Sequence, residues 1–370
     1  MNYNIIFIPG WVLKKPLRVV QQMEPRTITI DPGTFSWKVG FTDCTTPTVV
    51  NTLVSRAATG ETVVGDYTLE GNANYKHFYP VKSSLYSDWD EIDTLLNYTF
   101  AEVLKIDPAE FRVLVADSPI CGPNSNREKL TEILFEKYRV KAFTLVTHPT
   151  LSTLACGTRT AMVLNCGESM NYAIPIYKAA PFYKGFAANN TAGRDLTAYL
   201  SMLTANKANA VIPRHIARKL KEFTFLPPVR AQYNNVATQT VTIDKGTQIE
   251  LDSECLWSPE LLFNPSLNAP NAGDKGIAKV LYESLVKCGE KKELFAESII
   301  LTGGTTLIPG FVERLKNELQ ILMPGSNLKI HAPLERAFLS WAGGQVISHF
   351  KTLFVTREQH EEKKLPIYSY

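Results

Sequence analysis

Threonine and isoleucine alternate from Thr27 to Ile30, reach Asp31, and pass through a Pro-Gly turn into a second apolar run, Ser36–Phe41. Period-two alternation closed by such a turn predicts a β-hairpin. Ala161–Leu164 and Tyr172–Tyr177 flank another small-residue turn in the same manner, and Phe111–Ala116 reads as a fully buried strand. Helical spacing takes over elsewhere. Ser125 with Glu128 forms a capping-box pattern ahead of a face carrying Leu130, Ile133, Leu134 and Tyr138. Leu196–Leu203 and His215–Phe223 predict further helices, and Val241–Glu250 predicts a hairpin turning at Asp244, Lys245 and Gly246. Late in the chain, a strand over Ser298–Thr302 runs into Gly303 and Gly304. Pro309 then opens a helix with the face Val312, Leu315, Leu319 and Leu322, which Pro324 and Gly325 end.

This mixture of strands and helices predicts α/β layers. Thr27–Phe41 and Ala161–Tyr177 also share a plan: strand, Asp or Asn, one residue, Gly, polar turn, second strand. Two such units in separate halves point to a duplicated element facing a common cleft, although short echoes of this kind also arise by chance.

At 370 residues the chain is long enough for two domains, and its net charge of +3, spread over scattered Lys and Arg, demands neither nucleic acid nor an acidic membrane as partner. The six cysteines form no C-x-x-C pair, so reduced thiols fit better than a disulfide framework or a zinc site. Ile5–Leu13 is apolar but interrupted by Pro9 and Gly10, a short leader rather than a membrane span. The expectation is an intracellular protein of cytoplasm, cytoskeleton or nucleus.

Candidate chemistry gathers at the turns. Asp31-Pro32-Gly33-Thr34 offers clustered backbone N–H groups and a hydroxyl, with Lys38 following. Such a bend makes a concave anion site, the lysine neutralises phosphate, and Asp31 suits a hydrated Mg2+. An ordinary hairpin with solvated Asp and Lys has the same composition. Asn165-Cys166-Gly167-Glu168-Ser169 supplies a second set of donors, and Gly303-Gly304-Thr305-Thr306 lets backbone approach a ligand closely.

Longer strings make the reading specific. Asn126–Lys129, Ala192-Gly193-Arg194-Asp195-Leu196-Thr197 and Leu301–Thr306 followed by Pro309-Gly310 resemble actin, in actin's order and with similar spacing. So do Pro175-Ile176-Tyr177, Pro259–Phe263, and Ala332-Pro333 with Glu335-Arg336 before Trp341. The chain is identified as a divergent member of the actin and actin-related family, with the resemblance running from about Arg26 to about Gln359. It implies the α/β actin-like ATPase fold: two related lobes, with a ribonuclease H-like duplicated core, around a cleft for ATP or ADP and Mg2+ or Ca2+. The expected layout is an N-terminal extension over 1–24 and a first lobe over 25–155 plus 338–370, including a small subdomain with a shortened loop at about 51–80. A second lobe would occupy 156–337, with an outer subdomain at about 192–275.

By the same resemblance, Asp31, Gly33, Thr34 and Lys38 would form the first phosphate loop, with Asp31 holding the cation through water. Gly167, Glu168 and Ser169 would form the second loop. Arg218, Lys221 and Glu222 would line the adenine and ribose pocket, and Gly303 and Gly304 its floor. The departures bear on activity. His148 stands where actin-like ATPases place a water-positioning glutamine, Asn165 replaces an aspartate, and Tyr172 replaces a histidine. Phe35 replaces a glycine of the first phosphate loop, and Ala337 a lysine near the adenine. Histidine as a residue type suits general-base work, but ordering a water needs a supporting shell that Asn165 and Tyr172 disturb. His148 and Asn165 are therefore weak catalytic candidates, and the expectation is nucleotide binding with slow or absent hydrolysis.

Only Ala57–Val64 lies where actin carries a much longer subunit-gripping loop, and Asn264–Lys275 is polar where actin has an apolar plug. A filament needs complementary head-to-tail surfaces, so a structural or regulatory subunit of a multiprotein assembly is favoured over a filament-forming ATPase. Other protein subunits, including actin or other actin-related proteins, are the expected partners. Leu154, Ala155, Gly157, Val346, Ile347 and Phe350 fall near the family's partner cleft, or pack as core. A sugar-kinase activity lacks any substrate-pocket signature.

Overall fold

The computed structural model describes residues 25–82, 85–120, 125–208, 212–229, 237–242, 248–268 and 273–363. The extension over 1–24 and the turn Asp244–Gly246 lie outside the described residues.

The two hairpins at Thr27–Phe41 and Ala161–Tyr177 form, each at the centre of a larger sheet. Gln239–Thr242 and Gln248–Leu251, the strands of the third predicted hairpin, pair instead as an isolated two-stranded sheet. Thr27–Pro32 pairs antiparallel with Ser36–Phe41, Asp31 opposite Lys38, while its other edge runs parallel to Arg112–Asp117. Ala142–Thr147 continues that sheet in parallel, Thr48–Asn51 closes one edge and Val355–Thr356 the other. In the second sheet, Ala161–Cys166 pairs antiparallel with Asn171–Tyr177 and runs parallel to Ile299–Thr302. Ile330–His331, Ala180–Pro181 and Ala187–Asn189 complete it. The two units thus share more than a turn: in both, the first hairpin strand has an antiparallel partner on one side and a parallel one on the other. Parallel pairing requires both faces covered, and these strands are accordingly buried along nearly their whole length.

Separate apolar cores underlie the two sheets. The first gathers Ile28, Trp37, Val39, Leu95, Phe100, Val113, Leu134 and Phe143, and the second gathers Met162, Leu164, Leu196, Leu281, Phe311 and Leu315, all buried. The face read from Leu130 to Tyr138 turns inward, although the helix Ser125–Glu132 widens into a π-turn over Ile133–Lys137. Predicted helices at Leu196–Leu203 and His215–Phe223 are longer or tighter than read: Gly193–Ala208, and Arg214–Leu220 ending in a 3₁₀ turn over Lys221–Phe223. Between the sheets, the helix Leu339–Ile347 crosses the helix His148–Ala155 at close range, because Gly343 and Gly344 present no side chain. A Cβ on Gly343 would lie 2.1 Å from the Leu151 carbonyl oxygen, and one on Gly344 would lie 2.2 Å from Thr29 Oγ1.

The small sheet of Val54–Ala57, Thr62–Val64 and Tyr75–Phe78 stands beside the first lobe. Its hairpin turns within Ala58–Glu61, closed by Ala57 N–H to the Glu61 carbonyl at 2.9 Å and by Gly60 at positive φ. Arg56 anchors it with paired hydrogen bonds of 2.8 and 2.9 Å to the buried Glu91. Glu91 lies in the first turn of the Trp89–Tyr98 helix, whose N-terminal N–H groups Asp88 caps.

Candidate functional site

The turns of the two hairpins meet. Thr34 Oγ1 and Ser169 Oγ share a hydrogen bond of 2.9 Å across 135 residues of sequence. Beneath them Gly303 adopts φ 92°, a left-handed conformation that places its backbone where a Cβ would lie 2.3 Å from the Cys166 carbonyl oxygen and 3.0 Å from Asn165 Oδ1. Only glycine satisfies both constraints. Gly33 is constrained in another way: a Cβ there would meet the Ser36 carbonyl oxygen at 2.7 Å and Lys38 Nζ at 3.5 Å. Lys38 donates to the Ser36 carbonyl at 3.1 Å, which holds its ammonium beside the first turn. Gly304 begins the short 3₁₀ helix Gly304–Leu307, whose Thr305 hydroxyl donates to the Gly167 carbonyl at 2.9 Å.

Asp31 is buried at the end of the first strand, and the His148 ring stands beside it, Nε2 to Oδ1 3.6 Å. The same Nε2 lies 3.0 Å from the Ala116 carbonyl oxygen. A carbonyl only accepts, so Nε2 carries a hydrogen and donates it. Tyr172, 2% exposed, faces Asp31 from the second hairpin, and its hydroxyl has no hydrogen-bond partner. Burial, with the Asp31 charge adding to it, raises that hydroxyl's pKa and keeps it protonated.

Glu168 looks toward the outer helices of the second lobe. One carboxylate oxygen lies 3.5 Å from Lys221 Nζ; the other is buried without a hydrogen bond, 3.9 Å from Arg214. Lys221 donates to the Gly193 carbonyl and to Thr197 Oγ1, each at 3.1 Å. Burial lowers its pKa, and Glu168 works against that shift. Glu222 is exposed on the following turn.

Arg218 is placed differently from its neighbours on the helix. Its guanidinium pairs with Glu70 of the small subdomain, both side chains under 10% exposed, and lies 4.0 Å above the Tyr67 ring. Phe35, which the sequence placed in the first phosphate turn, stacks flat on Tyr67 with centroids 5.1 Å apart. Neither Tyr67 nor Glu70 carried any motif, and nothing local to either residue distinguishes it from an ordinary surface residue.

A bound adenine nucleotide and its cation are what the family implies for this cleft, and three features fit them. Gly33 and Gly303 form backbone cradles that a Cβ would fill, and Lys38 stands at the first of them. The free oxygen of Glu168 and the Tyr172 hydroxyl are buried groups with unused hydrogen-bonding capacity. No three His, Cys, Asp or Glu side chains gather among the described residues as a direct metal site, and Asp31 is the buried carboxylate at the first turn.

A separate cavity of about 400 Å³ is lined by Ala155, Cys156, Phe338, Leu339, Trp341 and Ala342, among others. Of the expected partner residues, Ile347 is buried in a core cluster with Leu154 packed against it, whereas Phe350 is exposed. The five described cysteines are free thiols, and no helix among the described residues is long and apolar enough to cross a membrane.

Comparison with known proteins agrees with the paired hairpins. The chain is 29% identical over 367 residues to Actin-like protein 7A of Homo sapiens and of Macaca fascicularis, covering 92% of this chain and 83% of each relative. The Mus musculus protein of that name is 29% identical over 362 residues, covering 91% and 81%. The Actin family model matches residues 22–245 and 230–367. Two hairpin-centred sheets, facing turns and a family match along nearly the whole length have one meaning: this chain belongs to the actin family, as a divergent, actin-related member.

Proposed function

We propose that the chain binds an adenine nucleotide, ATP or ADP, in the cleft between its paired hairpins, hydrolyses it slowly or not at all, and serves as a structural or regulatory subunit of an intracellular protein assembly. The observation that carries this reading is the convergence of Gly33, Thr34, Lys38, Ser169 and Gly303 at one point from three distant stretches of sequence. Thr34, Lys38 and Ser169 would hold phosphates with hydroxyl and ammonium donors. Glu168 and Lys221 would face the ribose, and Asp31 would hold Mg2+ or Ca2+ through water. A bound nucleotide would supply the negative charge that these donors from both lobes satisfy.

Slow turnover follows from this chain's own residues. His148 Nε2 spends its hydrogen on the Ala116 carbonyl, so that nitrogen has no lone pair with which to take a proton from water. Asn165 brings no charge, and Tyr172 holds its phenolic proton. Neither Asn165 nor Tyr172 supplies a base in its place, and the His148 nitrogen nearest Asp31 is already a donor. Other subunits, actin or other actin-related proteins among them, are the partners this reading calls for.

The test is the nucleotide content of purified protein by chromatography, followed by phosphate release from added ATP. Bound adenine nucleotide with release indistinguishable from a protein-free control is the expected result. Brisk release would show that His148 and its neighbours form a working site and would favour a filament-forming ATPase. Absence of nucleotide, with no binding of added ATP, would remove the reading.

A further inference from the structure

Arg218 belongs to the outer part of the second lobe, on the helix Arg214–Leu220, yet every contact of its guanidinium described above is with the first lobe. Glu70 takes one of its nitrogens, and Tyr79 donates its hydroxyl to the other oxygen of Glu70. Tyr67 lies under the guanidinium at 4.0 Å, and its hydroxyl donates to the Phe35 carbonyl at 2.8 Å. Phe35 stacks on Tyr67 with planes 3° apart and stands 5.6 Å from the same guanidinium. Each member is therefore held by another, and the cluster crosses the mouth of the cleft. Further in, the Thr34–Ser169 hydrogen bond joins the lobes a second time.

From this geometry we infer a built-in latch: Arg218 seated on Glu70, Tyr67 and Phe35 keeps the lobes closed without help from nucleotide. Three physical points support it. A guanidinium over an aromatic face and against a carboxylate, largely out of water, is held in one orientation by its planar shape. Opening the lobes would strand either Arg218 or Glu70 without its partner, and a separated charge pair must be rehydrated at once. Phe35 reaches Tyr67 only because a large ring occupies a turn position where the family has glycine, so the aromatic half of the latch and the altered phosphate turn are one change. A ligand closes a two-state cleft only by binding the closed form better than the open one; a cleft already shut by side chains needs no such difference.

The inference deepens the nucleotide reading, since it predicts that exchange waits on unlatching, but its first arm does not depend on that reading. The full-length protein, stripped of nucleotide by chelator and desalting, is measured by small-angle scattering with and without added ATP and Mg2+. Wild type is expected to keep one radius of gyration in both states. Glu70→Gln and Tyr67→Leu, each stripped, are expected to expand. Where nucleotide binds, release of a fluorescent ADP should be about tenfold faster from Glu70→Gln than from wild type, an ordinary scale for coupled equilibria. Expansion of stripped wild type to the size of the variants would overturn the latch, as would variants that stay as compact as wild type. Failure of every form to bind nucleotide would sink the nucleotide reading alone, because the stripped proteins still decide the latch.

Discussion

Arg314 carries its charge into the second lobe with 1% of its side chain exposed and meets Glu260, equally buried, through hydrogen bonds of 2.8 and 2.9 Å. Glu318 accepts from its Nε at 2.9 Å, and the Phe263 ring lies under the guanidinium. Breaking a buried pair from one side leaves the other charge uncompensated, a cost of about 3–5 kcal/mol, whereas replacing both partners by apolar groups is often near neutral. Arg314→Met should therefore lower unfolding free energy in urea by about that amount, and the double change Arg314→Met with Glu260→Met should recover much of it. Equal losses in the two proteins would mean that packing, not charge, sets the cost. Tyr79 offers a test by pH. Burial first, then its hydrogen bond to Glu70, pushes its hydroxyl up to about 12, with Arg214 and Arg218 opposing. The folded protein keeps this proton where the unfolded chain loses it. The stability it supports is thus complete below pH 10 and lost as pH rises from there toward 12. Melting temperature should fall more steeply between about pH 10 and about pH 12 in wild type than in Tyr79→Phe; parallel curves would exclude the linkage. Arg314 also shows how a local pattern misleads. Its helix presents an apolar face at Val312, Leu315 and Leu319, and a charge beside that face reads as solvated until Glu260, 54 residues earlier, is brought opposite.

At the scale of elements, the hairpins were the most legible part of the chain, because alternation, a carboxylate or amide, and glycine at the bend are all local signals. Their equivalence went further than the turn, since each also gained a parallel strand on the same side. Helix ends were less legible: the caps sit outside the apolar periodicity, so Gly193–Ala208 starts earlier and ends later than its apolar face. The crossing of His148–Ala155 by Leu339–Ile347 was not legible at all, because two adjacent glycines in a helix look only like weak helix formers. Their reason is proximity to Leu151 and Thr29. Gly343→Ala should lower stability by about 1–3 kcal/mol through overpacking, despite alanine's better helix propensity. A thermal melt showing gain instead of loss would mean the helices separate freely at that point.

For the whole molecule, the arrangement of lobes determines what surfaces are offered. The hairpin over Val54–Val64 closes in a tight turn and leaves no long projecting segment there. Asp274 is tied to Thr191 Oγ1 at 2.7 Å and to the Asn190 N–H at 3.1 Å, which fastens that residue to the second lobe. A filament needs both contacts of a head-to-tail interface on every protomer. High-speed sedimentation in Mg2+ and salt should accordingly leave the purified protein in the supernatant. A concentration-dependent pellet would restore the filament reading.

What the sequence determined by itself was the membership of the chain and the plan of its two hairpins. Both rest on residues close together in the chain: Asp31 with Gly33 and Lys38, Asn165 with Gly167 and Ser169, and the run from Leu301 to Thr306. It also marked Phe35 as foreign to its turn. Only the tertiary structure decided what Phe35 touches, that Arg218 leaves its helical neighbours for Glu70, and that Nε2 of His148 is occupied by the Ala116 carbonyl. The reason is physical. Strand and turn preferences act over a few residues and leave a trace in residue type, whereas these contacts join groups 32 to 148 positions apart. Their partners are common residues until folding removes the water between them.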